Sequence, residues 1–153
     1  GQEWQVDGWQ FVVLSPSRHL VEGASDNSRS CVLRVSKGEA ALLLPGDLEA
    51  PGEYALLDAG TRVRANVLVL GHHGAREATT SDWLEQVSPD LAIASAGYFN
   101  RFGHPSEAVR QRLGQAGVPL LNTAMQGAIV IDMRATGETR WHAYRQVSGR
   151  YWW

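Results

Sequence analysis

The sequence predicts an α/β (α+β) fold, a mixed β-sheet flanked by helices, and three observations carry that reading. Segments 30–35 and 39–44 are strand-like and meet at Gly38, which makes them a hairpin. Segments 67–70 (VLVL) and 91–94 (LAIA) are short, continuous apolar runs, the mark of strands buried on both faces. Helical patterns alternate with these runs. Strands that first pair as a hairpin and then alternate with helices build a mixed sheet under a helical layer.

The elements follow in order. Residues 9–14 (WQFVVL) read as a strand, broken by Ser15-Pro16-Ser17. Residues 22–30 form a polar loop. Pro45-Gly46-Asp47 stops the second hairpin strand sharply. Residues 50–60 suit a short helix with Glu53, Tyr54, Leu56 and Leu57 on its turns. Thr80 or Ser81 can cap a helix reaching about Val87, with Leu84 and Val87 on one side. Residues 106–116 are amphipathic, with Val109 and Leu113 inward and Pro105 near the first turn. Residues 118–121 and 128–132 read as strands. The tail, 140–153, carries Trp141, Tyr151, Trp152 and Trp153, which suit either a membrane interface or core and domain packing.

The composition narrows the class. A chain of 153 residues suits one domain, and at this size roughly two-thirds of the unfolded surface can be buried. With 44% hydrophobic and 20% charged residues it is not a disordered segment. A formal net charge of −2 excludes a whole-chain electrostatic clamp on DNA, so any nucleic-acid contact needs a local basic patch or metal ions. The single cysteine, Cys31, permits no internal disulfide and is expected in the core with Val32 and Leu33. No apolar stretch approaches the ~20 residues that cross a bilayer. Gly1-Gln2-Glu3-Trp4 lacks a charged region leading into an apolar one. It is expected to be a cut inside a longer protein rather than a signal peptide.

Three loops carry candidate chemistry, each directly after a strand. Asp47 closes Leu44-Pro45-Gly46-Asp47, where a carboxylate can hold or bridge a cation. His72 and His73 sit between Gly71 and Gly74, which let the backbone turn tightly enough for an imidazole to reach a site. On an extended chain two adjacent side chains point opposite ways, so one of the two is expected at any single metal. The segment 95–105 offers Asn100, Arg101 and His104 before a helix start, a setting that favours anions such as phosphate. If the three preceding strands share one sheet, these loops converge on one edge.

The blocks Asn27-Ser28-Arg29-Ser30-Cys31-Val32-Leu33-Arg34, LLLPGD, LVLGHHG and SAGYFNRFGHP stand in a specific order and spacing. Together they resemble the ComEC-type DNA-internalisation (competence) proteins. Trp4-Gln5-Val6-Asp7-Gly8 ahead of the first strand fits the same pattern, so the likeness runs from about residue 2 to residue 131. These are polytopic membrane proteins of natural transformation, and many end in a metallo-β-lactamase-like domain. The resemblance implies that residues 1–153 are a single domain unit. It would be the C-terminal half of a four-layer αββα sandwich, on a soluble part of a bacterial inner-membrane protein.

In that superfamily an early His-x-His-x-Asp-His cluster supplies most metal ligands, a later Asp bridges the metals, and a last His completes the second site. By the likeness, Asp47 matches the bridging Asp and His72 or His73 the last His. Asn27 stands where a further His falls, and Ala75 where a Ser usually follows HHG. The five histidines, His19, His72, His73, His104 and His142, do not form the early cluster. Two protein ligands fall short of the usual three plus water. The chain alone is therefore expected to bind divalent metal, Zn or Mn, weakly or not at all, with the preceding half of the domain completing the site. Without that half, an open sheet face invites self-association.

The implied activity is metal-assisted hydrolysis of DNA phosphodiesters. Asp47 holds or bridges metal, and His72 or His73 binds metal or orients water. Asn100, Arg101 and His104 contact phosphate or the leaving oxygen, and Asn27 joins the substrate-binding group. The implied partners are DNA, single-stranded or incoming duplex, and the transmembrane channel part of the same polypeptide. Two other readings stand beside this one: a non-catalytic module that docks DNA or a partner subunit, and a small-molecule hydrolase on the same superfold.

Overall fold

A computed structural model describes residues 1–16 and 25–147. His19 and the tail residues Tyr151, Trp152 and Trp153 lie outside the described residues. Strands β1 (Glu3–Val6) and β2 (Trp9–Ser15) pair antiparallel around Asp7-Gly8, whose φ values of 50° and 78° suit a tight two-residue turn. Strands β3 (Val32–Lys37) and β4 (Ala40–Leu44) form the expected second hairpin around Gly38. Then α1 (Ala50–Asp58), β5 (Val67–Val69), α2 (Ser81–Val87), β6 (Leu91–Ala94), α3 (Glu107–Gln115) and β7 (Leu120–Asn122) alternate. The short α4 (Thr123–Gln126), the hairpin β8 (Ile129–Met133) and β9 (Thr139–Ala143), and α5 (Tyr144–Val147) follow.

Strands β1 to β7 make one seven-stranded sheet in chain order, antiparallel up to β4 and parallel from β4 to β7. Register fixes which side chains share a face. Val32, Ala41, Leu43, Leu68, Ala92 and Ala94 lie on one side and cluster with Leu56 of α1, Trp83, Leu84 and Val87 of α2, and Val109 and Leu113 of α3. All three crossover helices therefore cover the same face, as a sheet that grows in one direction with right-handed crossovers requires. Thr80 starts α2 by accepting from the Trp83 N–H, and Ser106 starts α3 by accepting from Val109. Glu53, 1% exposed, reaches from α1 to accept the backbone N–H of Thr79 and of Thr80. Burial pushes its carboxyl above the ordinary 4.5, against those hydrogen bonds and the Arg112 guanidinium, which lower it.

The opposite face is apolar as well. By register it carries Trp4, Phe11, Val13, Leu33, Val35, Leu42 and Leu44, then Val67, Val69, Leu91 and Ile93. Val67, Leu91 and Ile93 are buried, whereas Phe11, Val13, Leu33, Val35, Leu42 and Leu44 are half-buried and Trp4 is exposed. The second sheet, β8–β9, has two strands and is tied to the first where Glu39 N–H donates to Ala135 O at 2.8 Å.

The differences from the sequence reading have local causes. Strand β1 is additional, because Asp7-Gly8 is a hairpin turn and not a lead-in. Strand β9 occupies the start of the aromatic tail, with Trp141 paired opposite Ile131. The strand expected at 118–121 begins at Leu120, since Val118 N–H closes the end of α3 on Leu113 O at 2.9 Å. Cys31 is exposed rather than in the core. It lies one residue before β3, where alternation gives the buried position to Val32.

Candidate functional site

Because β4, β5 and β6 run parallel, their carboxyl ends open on one edge, and the loops after them are laced together there. The His72 N–H donates to Gly46 O at 3.0 Å, joining the loop after β5 to the loop after β4. The Ser106 N–H donates to Gly74 O at 2.8 Å, joining it to the loop after β6. Two glycines make these approaches sterically possible. A Cβ on Gly71 would stand 2.7 Å from Leu48 O, and one on Gly74 would stand 2.7 Å from the Pro105 Cβ.

The histidine pair sits in a tight, kinked turn, Gly71–Gly74, with His72 at φ 47°, ψ 44° and His73 at φ 59°, ψ 15°. The extended geometry expected for adjacent histidines does not hold. Both lie in the left-handed region, which costs a non-glycine residue roughly 1–2 kcal/mol. Their rings are 6.3 Å apart and engage different partners.

His73 Nδ1 is 2.8 Å from Ser95 O at the end of β6. A carbonyl only accepts, so Nδ1 carries a proton, and in the neutral tautomer it is Nε2 that presents a lone pair. That Nε2 faces Asp47 Oδ1 at 3.7 Å, with both side chains about half exposed. Two acceptors that face each other at this range are complementary to a proton or cation between them. His72 Nδ1 is 3.1 Å from Glu49 Oε1, and the same oxygen accepts from Asn27 Nδ2 at 2.8 Å. The His104 ring lies 6.0 Å from that of His72. Its pKa is lowered from the ordinary 6.5 by burial first, then by His72 and His73, with Glu77 opposing.

The structure thus brings Asp47, His72, His73, His104 and Asn27 to one edge. Asn100 is beside them, but its side chain closes its own loop. It donates to Gly97 O and His104 O at 3.0 and 2.9 Å and accepts from His104 N–H at 2.7 Å. Arg101 lies over the Phe102 ring at 4.9 Å. A cavity of about 240 Å³ is lined by His73, Ser95, Gly97, Asn100, Phe102 and His104.

Two partners were not legible beforehand. Glu49 has no motif around it and is found only through His72 and Asn27. Ser95 acts through its carbonyl, which every residue has. As for a metal, Asp47 and His73 have donor chemistry that suits zinc or manganese, yet they are two ligands where a catalytic site has three. Among the described residues, no group of three or more His, Cys, Asp and Glu side chains comes together to hold an ion.

The fold and edge define a mixed-sheet α/β protein with a histidine–carboxylate cluster at the carboxyl ends of three parallel strands. No protein-family model matches the chain. It is 46% identical over 137 residues to "Competence protein ComA" of Neisseria gonorrhoeae, covering 89% of this chain and 20% of that protein. It is 39% identical over 132 residues to "Recombination protein 2" of Haemophilus influenzae (86% and 16%) and 37% identical over 129 residues to "ComE operon protein 3" of Bacillus subtilis (84% and 16%). The chain spans about a fifth or less of the length of these relatives. No helix among the described residues is long and apolar enough to cross a membrane.

Proposed function

We propose that the chain works in DNA uptake during natural transformation, as part of a longer bacterial inner-membrane protein. In this reading it is the C-terminal half of a metallo-β-lactamase-like domain that hydrolyses DNA phosphodiesters. The likeness to a protein named for competence, over 89% of this chain, supports the process. An apolar sheet face with a two-stranded partner supports the αββα sandwich, since such a face is stable when a second sheet covers it.

One observation carries the chemistry. The His73 Nε2 lone pair and the Asp47 carboxylate, from two different strand ends, face each other at 3.7 Å, with the imidazole fixed from behind by Ser95 O. A backbone carbonyl behind a ligating imidazole is the usual way a protein orients a metal-binding histidine. Further ligands come, in this reading, from the preceding half of the domain in the longer protein. A divalent cation held there by Asp47 and His73 would supply an acidified water and a counter-charge for the phosphate. His72, tied to Glu49, and His104, whose charged form burial and the neighbouring histidines disfavour, border the same ground and can hold or pass a proton.

The test is a nuclease assay of the intact protein on single-stranded and duplex DNA with manganese or zinc. We expect metal-dependent cleavage that Asp47→Ala abolishes. An Asp47→Ala protein that cuts like its parent would end the assignment. A second reading, a DNA-docking module without catalysis, is favoured by one observation: His72, Glu49 and Asn27 satisfy one another without any ion. Stoichiometric metal in the intact protein distinguishes the two.

A further inference from the structure

The loop after β6 holds more than the site needs. Phe99 is 91% exposed, Phe102 67% and Tyr98 59% in this chain. These rings are ordered against one another. Tyr98 and Phe99 meet edge to face at 4.5 Å, and the Arg145 guanidinium sits over Tyr98 at 5.3 Å while donating to Ala124 O. Phe102 stacks separately on His104 at 5.6 Å, at the margin of the histidine cluster. Arg101, over Phe102, has no hydrogen-bond or ion-pair partner among the described residues.

We propose that Phe99, with Tyr98 and Phe102, is a stacking platform for the unpaired bases of single-stranded DNA, and that Arg101 takes a backbone phosphate beside it. The proposal rests on the DNA reading above and deepens it by naming the strand state recognised. The occupant follows from the chemistry. The open Phe99 ring near the Arg101 guanidinium, which touches only the Phe102 ring among the described residues, matches a nucleobase beside a phosphate, and stacking accepts any base. Duplex bases are already stacked on one another and cannot reach the rings. The chain's net charge of −2 gives no broad electrostatic hold on a duplex, so the stacking contribution governs. Phe102 lines the same cavity as His104 and His73, which sets a strand held at Phe102 beside the histidine cluster.

The test is binding of the chain to fluorescent oligothymidylate by anisotropy, with EDTA present so that neither cleavage nor metal contact enters. A hairpin duplex of equal length and anionic phosphatidylglycerol vesicles are run in parallel. We expect preference for the single strand and a shallow dependence on salt. We expect Phe99→Ala to weaken binding roughly tenfold with an unchanged melting temperature, and Phe99→Trp to restore it. Unchanged affinity in Phe99→Ala, equal affinity for the duplex, or a loss confined to vesicle binding overturns the platform. A metal-dependent nuclease assay that fails leaves this binding result intact, so the two claims fail separately.

Discussion

The Nε2 of His73 points at the Asp47 carboxylate across 3.7 Å, too far for a hydrogen bond and close enough for one small cation to touch both. Metal titration of the intact protein by calorimetry should therefore register Asp47. We expect Asp47→Asn to weaken zinc or manganese binding at least tenfold, because an amide oxygen lacks the carboxylate's charge. Equal binding in parent and variant refutes a shared site.

The left-handed backbone at His73 has a separate signature. Glycine adopts that conformation without penalty and alanine does not. Thermal melts should show His73→Gly more stable than His73→Ala by about 1 kcal/mol. The reverse order would mean that the turn relaxes when the imidazole leaves.

Gly74 joins two loops of the cluster. Gly74→Ala places a methyl against Pro105 and forces a positive φ of 85° on a residue that resists it. We expect a loss of about 2–4 kcal/mol in denaturant unfolding. Amide exchange should locate the loosening at Ser106, whose N–H bonds to Gly74 O.

Glu53 supplies the pH dependence. Its carboxyl is raised above 4.5 in the folded state, so it binds protons more tightly folded than unfolded. Its contribution is thus fully present below about pH 4.5 and lost as pH rises through the folded value. Compared with Glu53→Gln, the parent should be relatively most stable at acid pH and lose ground as pH climbs. A stability difference flat from acid to neutral pH would show that the two backbone N–H bonds cancel the cost of burial.

The apolar face invites a hydrodynamic measurement. Val6 sits on the edge strand β1 and is half exposed, on a face that also carries Trp4 and Phe11. The isolated chain should self-associate with concentration in sedimentation. Val6→Lys should shift it toward monomer at little cost to stability, since a lysine on an edge strand opposes pairing.

What the sequence determined by itself was the succession of elements and the places where chemistry-bearing residues leave strands. The apolar runs at 67–70 and 91–94 announce buried strands because such strands need apolar side chains on both faces. Asp47, His72, His73 and His104 could be marked because each follows such a run. Asp7-Gly8 between the alternating Trp4, Val6, Trp9 and Phe11 is a hairpin signal that stands in the sequence for β1, whereas β9 and the pairing of His72 with Glu49 were not legible, because a polar-interleaved strand and a lone carboxylate leave no periodicity to read. Only the tertiary structure decided which imidazole faces Asp47. That choice belongs to a left-handed turn, a glycine pressed on Leu48 O and another on Pro105, and a carbonyl from the neighbouring strand. Contacts between distant segments set such angles, and no local pattern encodes them.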